Sequence, residues 1–358
     1  MREVVITTAD VGRRLDKYLM AYLNNASRSF IYKLLRKKRI KLNGKRAEGS
    51  ELLRVGDAIT LHLSQETLDE CRKGRYESPP EHNNSVTFPV FTKGPKPDFR
   101  LAIVYEDENL LIINKPAGIA SHGGMKSKAT HLLAEILAYL RQNGDFPPNA
   151  TFTPALCNRL DVNTSGLVIC GKNYQALRAI NALFTNSGSH VAAVSAGDGV
   201  MPAGYIDKEY LAVIDGKLLG SAILEGHYQK DTDTNIARIT NTNCEPRAIT
   251  VYKSLAVSSE RSLLSVNPIT GRSHQIRAHL ASIGHPLSGD KKYGGKPTPY
   301  TSAQLLHCRR LTLNKAVLSY PAGMSWSADL HDGFMKFIND EFNDHEIMKE
   351  AEQNEMHC

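Results

Sequence analysis

Apolar side chains at Leu15, Tyr18, Leu19, Tyr22 and Leu23 recur at helical spacing, and Phe30, Ile31, Leu34 and Leu35 repeat the pattern after a short polar break. Ser27 or Ser29 is placed to cap the second helix. Strand-like runs at 40–42 and 58–63, with an Asn43-Gly44 turn and an entry through Gly56-Asp57, predict a small sheet behind the two helices. The apolar rhythm then fails: RKGRYESPPEHNNS, followed by Pro89, Pro95 and Pro97, reads as a linker. Beyond it, short apolar runs alternate with helical patterns over 131–142, 174–184 and 273–283, which is the signature of a mixed α and β core. The expected organisation is a helix-helix-sheet module over 1–64, a linker over 65–98, a larger domain over 99–335 and an acidic tail over 336–358. Within the larger domain, residues 187–204 are rich in small side chains and read as a long surface loop.

A length of 358 residues agrees with about two domains, and 41% apolar residues suffice for a sizeable core. The longest apolar runs are strand-sized, well short of the roughly 18 residues a membrane helix needs, so no membrane association is expected. The opening MREVVITTAD lacks the apolar stretch of a secretory signal. Six widely spaced cysteines without a CxxC pair fit a reducing compartment, so a cytoplasmic location is expected. No coiled-coil heptads mark an obligate dimer, and a monomer is expected.

The net charge of +7 changes the picture once it is located. Residues 28–46 hold nine of the 44 Lys and Arg, namely Arg28, Lys33, Arg36, Lys37, Lys38, Arg39, Lys41, Lys45 and Arg46. No Asp or Glu falls between Lys17 and Ala47, and the rest of the chain has 35 basic against 37 acidic side chains. So concentrated a positive field points to contact with nucleic-acid phosphates.

Two segments could carry chemistry. In NRLDVNTSG a lone carboxylate, Asp161, sits beside Arg159 in a polar turn between apolar runs. By itself this fits an Asx-type turn as well as a reactive site. A calcium loop is excluded, since the twelfth position is Lys172 where a Glu is required. The second segment, NPITGRSHQIRAHLASIGHPLSGDKKYGG, gathers Arg272, His274, Gln275, Arg277, His279 and His285 around a helix. His274 and His279 are five residues apart, unlike the i, i+4 pair of a zinc helix, and no metal is expected. No G-x-S-x-G elbow or nucleophilic cysteine setting supports a hydrolase.

With these segments in view, the chain resembles the RluA-type pseudouridine synthases. ENLLIINKPAGIASHGG is similar to the family's opening strand and loop, and NRLDVNTSGLVICGK to its catalytic motif. KEYLAVIDG is similar to the segment bearing the active-site tyrosine, and TGRSHQIRAHL with GHPLSGDKKYGG to the last motif. The likeness spans about 99–325, and the first module resembles the RNA-binding domain named after the fourth small-subunit ribosomal protein. The resemblance implies an α+β fold whose catalytic domain is a mixed, mainly antiparallel sheet with flanking helices. It also implies isomerisation of specific uridines in large-subunit ribosomal RNA to pseudouridine, without a cofactor. Asp161 becomes the catalytic aspartate, Tyr210 the tyrosine that stacks on the target base, Arg277 the cation paired with the aspartate, and Arg159 a contact to RNA beside the extruded nucleotide. Departures occur at Asn158, where the family commonly has a histidine, and at Val162 and Asn163. Asn158 is expected to loosen the support of Asp161 or to alter contact with RNA. A competing reading keeps the fold and the basic module as a non-catalytic ribosome-assembly factor.

Overall fold

The computed structural model describes residues 1–72, 101–123, 131–146, 150–186, 204–240 and 246–342. The first module is built around two short helices, α1 (Leu15–Tyr22) and α2 (Arg28–Arg36). The Ser27 hydroxyl caps α2 by accepting from the Phe30 N–H at 3.2 Å, an interaction that typically contributes about 1 kcal/mol. Leu15, Leu19, Ile31 and Leu35 bury the facing sides of both helices against a four-stranded sheet. That sheet runs in the order β1, β4, β2, β3, with β1 Arg2–Val5, β2 Ile40–Leu42, β3 Lys45–Arg46 and β4 Ala58–Leu61. Asn43 and Gly44 both take positive φ, which the tight β2–β3 turn requires.

Two parts of the expected organisation change. Residues 65–71, expected as linker, form a helix, α3 (Gln65–Cys71), capped by Ser64 and burying Leu68 and Cys71 against the first module. Residues 336–342, expected as tail, belong to a terminal helix whose Phe337, Ile338 and Phe342 are core residues. In both, a few apolar positions at helical spacing find a surface to cover, which outweighs the polar composition around them. The remaining linker residues 73–98, the loop 187–203 and the tail residues 343–358 lie outside the described residues.

The second sheet carries the larger core. Its strands are β5 (Ile103–Glu106), β6 (Leu110–Lys115), β7 (Ala155–Leu156), β8 (Ser165–Gly171), β9 (Ile206–Asp215), β10 (Ser221–Asp231), β11 (Ile236–Thr240), β12 (Arg247–Val257), β13 (Arg261–Pro268), β14 (Leu306–Leu313) and β15 (Ser325–Ser327). They run in the order β11, β10, β12, β13, β9, β14, β8, β6, β5, with β15 on β14 and β7 on β8. Among the described residues only β14 with β8 is parallel. The sheet is mixed and mainly antiparallel.

Among the described residues four helices flank it: α4 (Leu132–Gln142), α5 (Tyr174–Asn186), α6 (Gln275–Ser282) and α7 (Asp332–Phe342). Strand β9 shows why both faces are covered. Ala212 and Ile214 point to a cluster with Ile276 and Leu280 of α6, while Val213 points to Phe334 and Phe337 of α7. Strands β6 and β8 are buried throughout and pack with α4 and α5 in a third cluster. Among the described residues no helix is long and apolar enough to cross a membrane.

The module is tied to the larger unit through polar groups. Arg13 donates to Asp10 at 2.8 Å and to the Thr151 carbonyl at 2.9 Å, and the Thr151 hydroxyl donates to Asp10. Asp10 is thereby buried with two partners.

Gly166, in the catalytic-type motif, sits where β8 meets β14. Its φ is +113°, and a Cβ there would overlap the carbonyl and nitrogen of Cys308. Gly166→Ala is expected to destabilise the protein by about 3 kcal/mol or more and to lower the melting temperature by roughly 6 °C or more. A calorimetric melt within 2 °C or so of the wild type would reject this close-approach argument.

Candidate active site

Asp161 lies in the turn between β7 and β8, and the chain on either side of it is fastened to the loop after β6. Ser121 Oγ donates to the Leu160 carbonyl and accepts from the Leu160 N–H, at 2.8 and 3.1 Å. The Gly118 N–H bonds the Val162 carbonyl at 2.8 Å, and the Thr164 N–H closes the turn on the Asp161 carbonyl at 3.1 Å. Asn158 bonds β8 with both ends of its amide: Nδ2 donates to the Leu167 carbonyl at 3.1 Å and Oδ1 accepts from the Ile169 N–H at 2.8 Å. Its side chain therefore continues the β7–β8 ladder and braces the turn, contrary to the loosening expected from its departure.

Lys115, at the end of β6, is fully buried below the turn. Its ammonium donates to the carbonyls of Pro116, Ile119 and Val162 at 2.8, 2.8 and 3.1 Å, one bond for each hydrogen. Burial pushes this group down to about 7, and the charge of Asp161 opposes that fall.

Arg277 reaches Asp161 from α6. Nη1 donates to Asp161 Oδ2 at 3.0 Å, while Nε and Nη2 form a two-pronged bond to Asp290 at 2.7 and 2.9 Å. The guanidinium also lies over the Tyr293 ring, 4.8 Å from its centroid. Burial opposes the charged form, but Asp290 and then Asp161 outweigh it and hold Arg277 above its ordinary value. Asp290 is nearly fully buried, whereas the Asp161 side chain keeps 28% of its surface exposed. The inner carboxylate is structural and the outer one is presented to solvent.

The other predicted site residues are placed as follows. Tyr210 is half-buried on β9 and packed between two of the core clusters. Burial, then Cys308, then the charge of Asp161 hold its phenol well above the usual range. Arg159 is exposed, two residues before Asp161. Of the nine cations in residues 28–46, Lys41 is half-buried and the other eight are exposed, on and after α2. They form a separate surface on the first module.

Several groups that sequence reasoning left without a role converge on Asp161: Lys115, Ser121, His274, Asp290 and Tyr293. His274 Nε2 lies 3.7 Å from Asp161 Oδ2. Tyr228 and Tyr293 also feel the carboxylate's charge, which adds to burial in raising both phenols. One partly exposed anion among two basic groups, a histidine and three tyrosines suits a ligand with flat rings and negative charge. One available signal was Lys115, a charged residue two positions after the apolar run LLII.

Comparisons with known proteins place the chain in a family. The family model for RNA pseudouridylate synthase matches residues 109–282, and the S4 domain model matches residues 13–59. A ribosomal large subunit pseudouridine synthase C from Rickettsia bellii is 32% identical over 327 residues, covering 88% of this chain and 94% of the relative. The protein of that name from Vibrio parahaemolyticus is 30% identical over 318 residues, covering 88% and 87%. The solved structure of human RNA pseudouridylate synthase domain containing 4 aligns with a TM-score of 0.48 at 21% identity, covering 66% of this chain and 92% of that one. Since the likeness to the Rickettsia protein runs nearly from end to end and the matched family segment contains the turn that carries Asp161 and the helix that carries Arg277, the chain belongs to the RNA pseudouridylate synthases and is an isomerase.

Proposed function

We propose that this synthase converts specific uridines of large-subunit ribosomal RNA to pseudouridine, with Asp161 as the catalytic carboxylate. The observation that carries the reading is the asymmetric sharing of Arg277. Asp290 fixes the guanidinium from inside through Nε and Nη2, and Nη1 presents Asp161 at the surface of a site lined by aromatic and basic groups.

The reaction breaks the bond between ribose C1′ and uracil N1, turns the base and joins C1′ to C5. The C5 hydrogen leaves to solvent and N1 gains a proton, so the product is an isomer. Asp161 acts at the sugar, as nucleophile at C1′ or as base toward a ribose proton; both routes need an ionised carboxylate within reach of an unstacked nucleotide. In this reading Tyr210 offers its ring to the extruded base. Arg159 fills the space the nucleotide leaves, and Arg277 keeps the carboxylate in place.

The first module, extended by α3, serves as the RNA-holding surface through Arg28, Lys33, Arg36, Lys37, Lys38, Arg39, Lys41, Lys45 and Arg46. Phosphate contacts of this kind give affinity and orientation without reading sequence. The choice of uridine then rests on RNA shape at the catalytic site.

Asp161→Asn is expected to lower the single-turnover rate by about three orders of magnitude or more while RNA affinity stays within a few fold. Release of tritium from a large-subunit rRNA transcript labelled at uridine C5 measures the first, and filter binding the second. A variant that still releases tritium at the wild-type rate removes Asp161 from the chemistry. Ribosomal RNA from a strain lacking the gene is expected to carry uridine at sites that are pseudouridine in the parent, and an unchanged set of sites would favour the assembly-factor reading. Replacing Arg36, Lys37, Lys38 and Arg39 together by Ala is expected to weaken binding and to make the slope of log affinity against log salt shallower by about 3. An unaltered slope would place the RNA on another surface.

A further inference from the structure

His274 has a backbone conformation that L residues rarely adopt, φ 54° and ψ 18°, immediately before α6. The segment around it is pinned on three sides. The Tyr228 hydroxyl donates to the Ser273 carbonyl at 3.1 Å, Gln275 Oε1 accepts from the Arg272 N–H at 3.0 Å, and the His274 carbonyl accepts the first helical bond from Ala278 at 2.9 Å. Left-handed backbone at a histidine costs on the order of 1 kcal/mol, so these contacts hold the residue in a geometry it would not take alone. The result is a ring standing between Tyr293 and Asp161.

The groups around that ring favour one tautomer. The Ala237 N–H donates to the Tyr293 hydroxyl oxygen at 2.8 Å, and the hydroxyl can direct its hydrogen to His274 Nδ1, 3.0 Å away. A carboxylate 3.7 Å from Nε2 favours the neutral ring with its proton on Nε2 and with Nδ1 as the acceptor. The opposite tautomer would set a lone pair against the carboxylate. Arg277 Nη1 also binds Oδ2, and among the described residues Asp161 Oδ1 has no hydrogen bond. One oxygen of the carboxylate is held and the other is left toward the nucleotide.

We infer that His274 is a positioning residue for Asp161: as the neutral Nε2–H tautomer, set by Tyr293, it joins Arg277 in holding Oδ2 so that Oδ1 meets the sugar. This rests on the reading of Asp161 as the catalytic carboxylate. Tyr293 serves both supports, with its ring beneath Arg277 and its hydroxyl on His274. Because that hydroxyl belongs also to the bond from Ala237, the β10–β11 hairpin is coupled to the carboxylate.

Protonation of His274 undoes the arrangement. An imidazolium turns Nδ1 into a donor, breaks the bond from Tyr293 and pairs directly with Asp161, drawing charge from the oxygen that must react. Burial is the largest influence keeping the ring neutral, holding its pKa below the ordinary histidine value. Arg277, Lys292 and Lys230 act in the same direction, while Asp161 opposes them. A hydrogen bond donated to Nδ1 exists only with the neutral ring, so removing the Tyr293 hydroxyl must raise the pKa of His274. The activity loss on the acidic side then begins at higher pH.

The test is the pH dependence, from about 5.5 to 8.5, of single-turnover tritium release from the C5-labelled rRNA transcript, for the wild type, Tyr293→Phe, His274→Asn and Asp161→Asn. Tyr293→Phe keeps the ring under Arg277, and its loss of rate is expected to be about tenfold greater at the acidic end than at the alkaline end, one pKa unit in effect. His274→Asn tolerates the left-handed backbone but neither ionises in this range nor reaches Asp161, so it is expected to be slow, with no histidine step in its profile. In the intact wild type labelled with 15N-histidine, His274 is expected to show Nε2–H by nitrogen NMR, with the His274→Asn spectrum assigning the signal. A Tyr293→Phe profile parallel to the wild type, or an Nδ1–H signal, overturns the inference. An active Asp161→Asn overturns the underlying reading instead, so the two failures are distinguishable.

Discussion

One guanidinium shared by two carboxylates organises the candidate active site of this protein. Arg277 is buried, and a buried cation without partners would cost several kcal/mol. Asp290 answers that cost with a two-pronged bond through Nε and Nη2, and Nη1 is left to bond Asp161. The inner pair removes the rotational freedom of the guanidinium, so the outer contact comes with its direction already set. An arginine satisfied only by Asp161 would be free to turn with it toward solvent, and the carboxylate would then be held by a flexible tether.

The same economy governs the turn that carries Asp161. Its backbone is bonded to the loop after β6 through Ser121, Gly118 and Lys115, and to β8 through Asn158. Lys115 has three hydrogens and three carbonyl acceptors, so the ammonium satisfies the carbonyls of a buried strand end. Rigid backbone below and a fixed cation beside it leave the carboxylate's own side chain as the moving part. Such an arrangement is preorganised: the backbone and the cation are in place before a ligand arrives.

Much of the frame was legible from local pattern because local pattern is what determines it. The helices starting near Leu15, Arg28, Leu132 and Tyr174 follow from apolar spacing and capping groups, and so does the break before β2. Strand β1 was not visible: Arg2–Val5 is mostly exposed and becomes a strand only by pairing with β4, a long-range event. The helix at 65–71 has just two buried side chains, too few to stand out in a polar stretch. The expected helix over 273–283 begins two residues late because His274 adopts left-handed backbone, which no apolar count registers. The site was still less local. Asp161 and Arg277 are 116 residues apart, and their adjacency entered through family resemblance, since spacing alone left Asp161 equally suited to an ordinary turn. Asp290 and Tyr293 lie within a quoted motif, yet nothing in a linear reading says that one grips the guanidinium from behind and the other lies beneath it.

Asn158 shows how a departure from a family pattern should be weighed. Judged by residue type, replacing an imidazole with an amide beside the catalytic turn threatens the support of Asp161. Judged by hydrogen bonds, the position calls for one donor and one acceptor facing β8, because β7 ends at Leu156 and the ladder must continue to the turn. Cys157 supplies the next backbone bond, its N–H donating to the Ile169 carbonyl at 2.7 Å, and the Asn158 amide then supplies a donor and an acceptor in the arrangement of a peptide group. A neutral imidazole also has one of each, so the requirement is for the pair of functions and not for the ring. An amide has the further property of never ionising, so the brace under Asp161 does not vary with pH while His274, on the other side of the carboxylate, can.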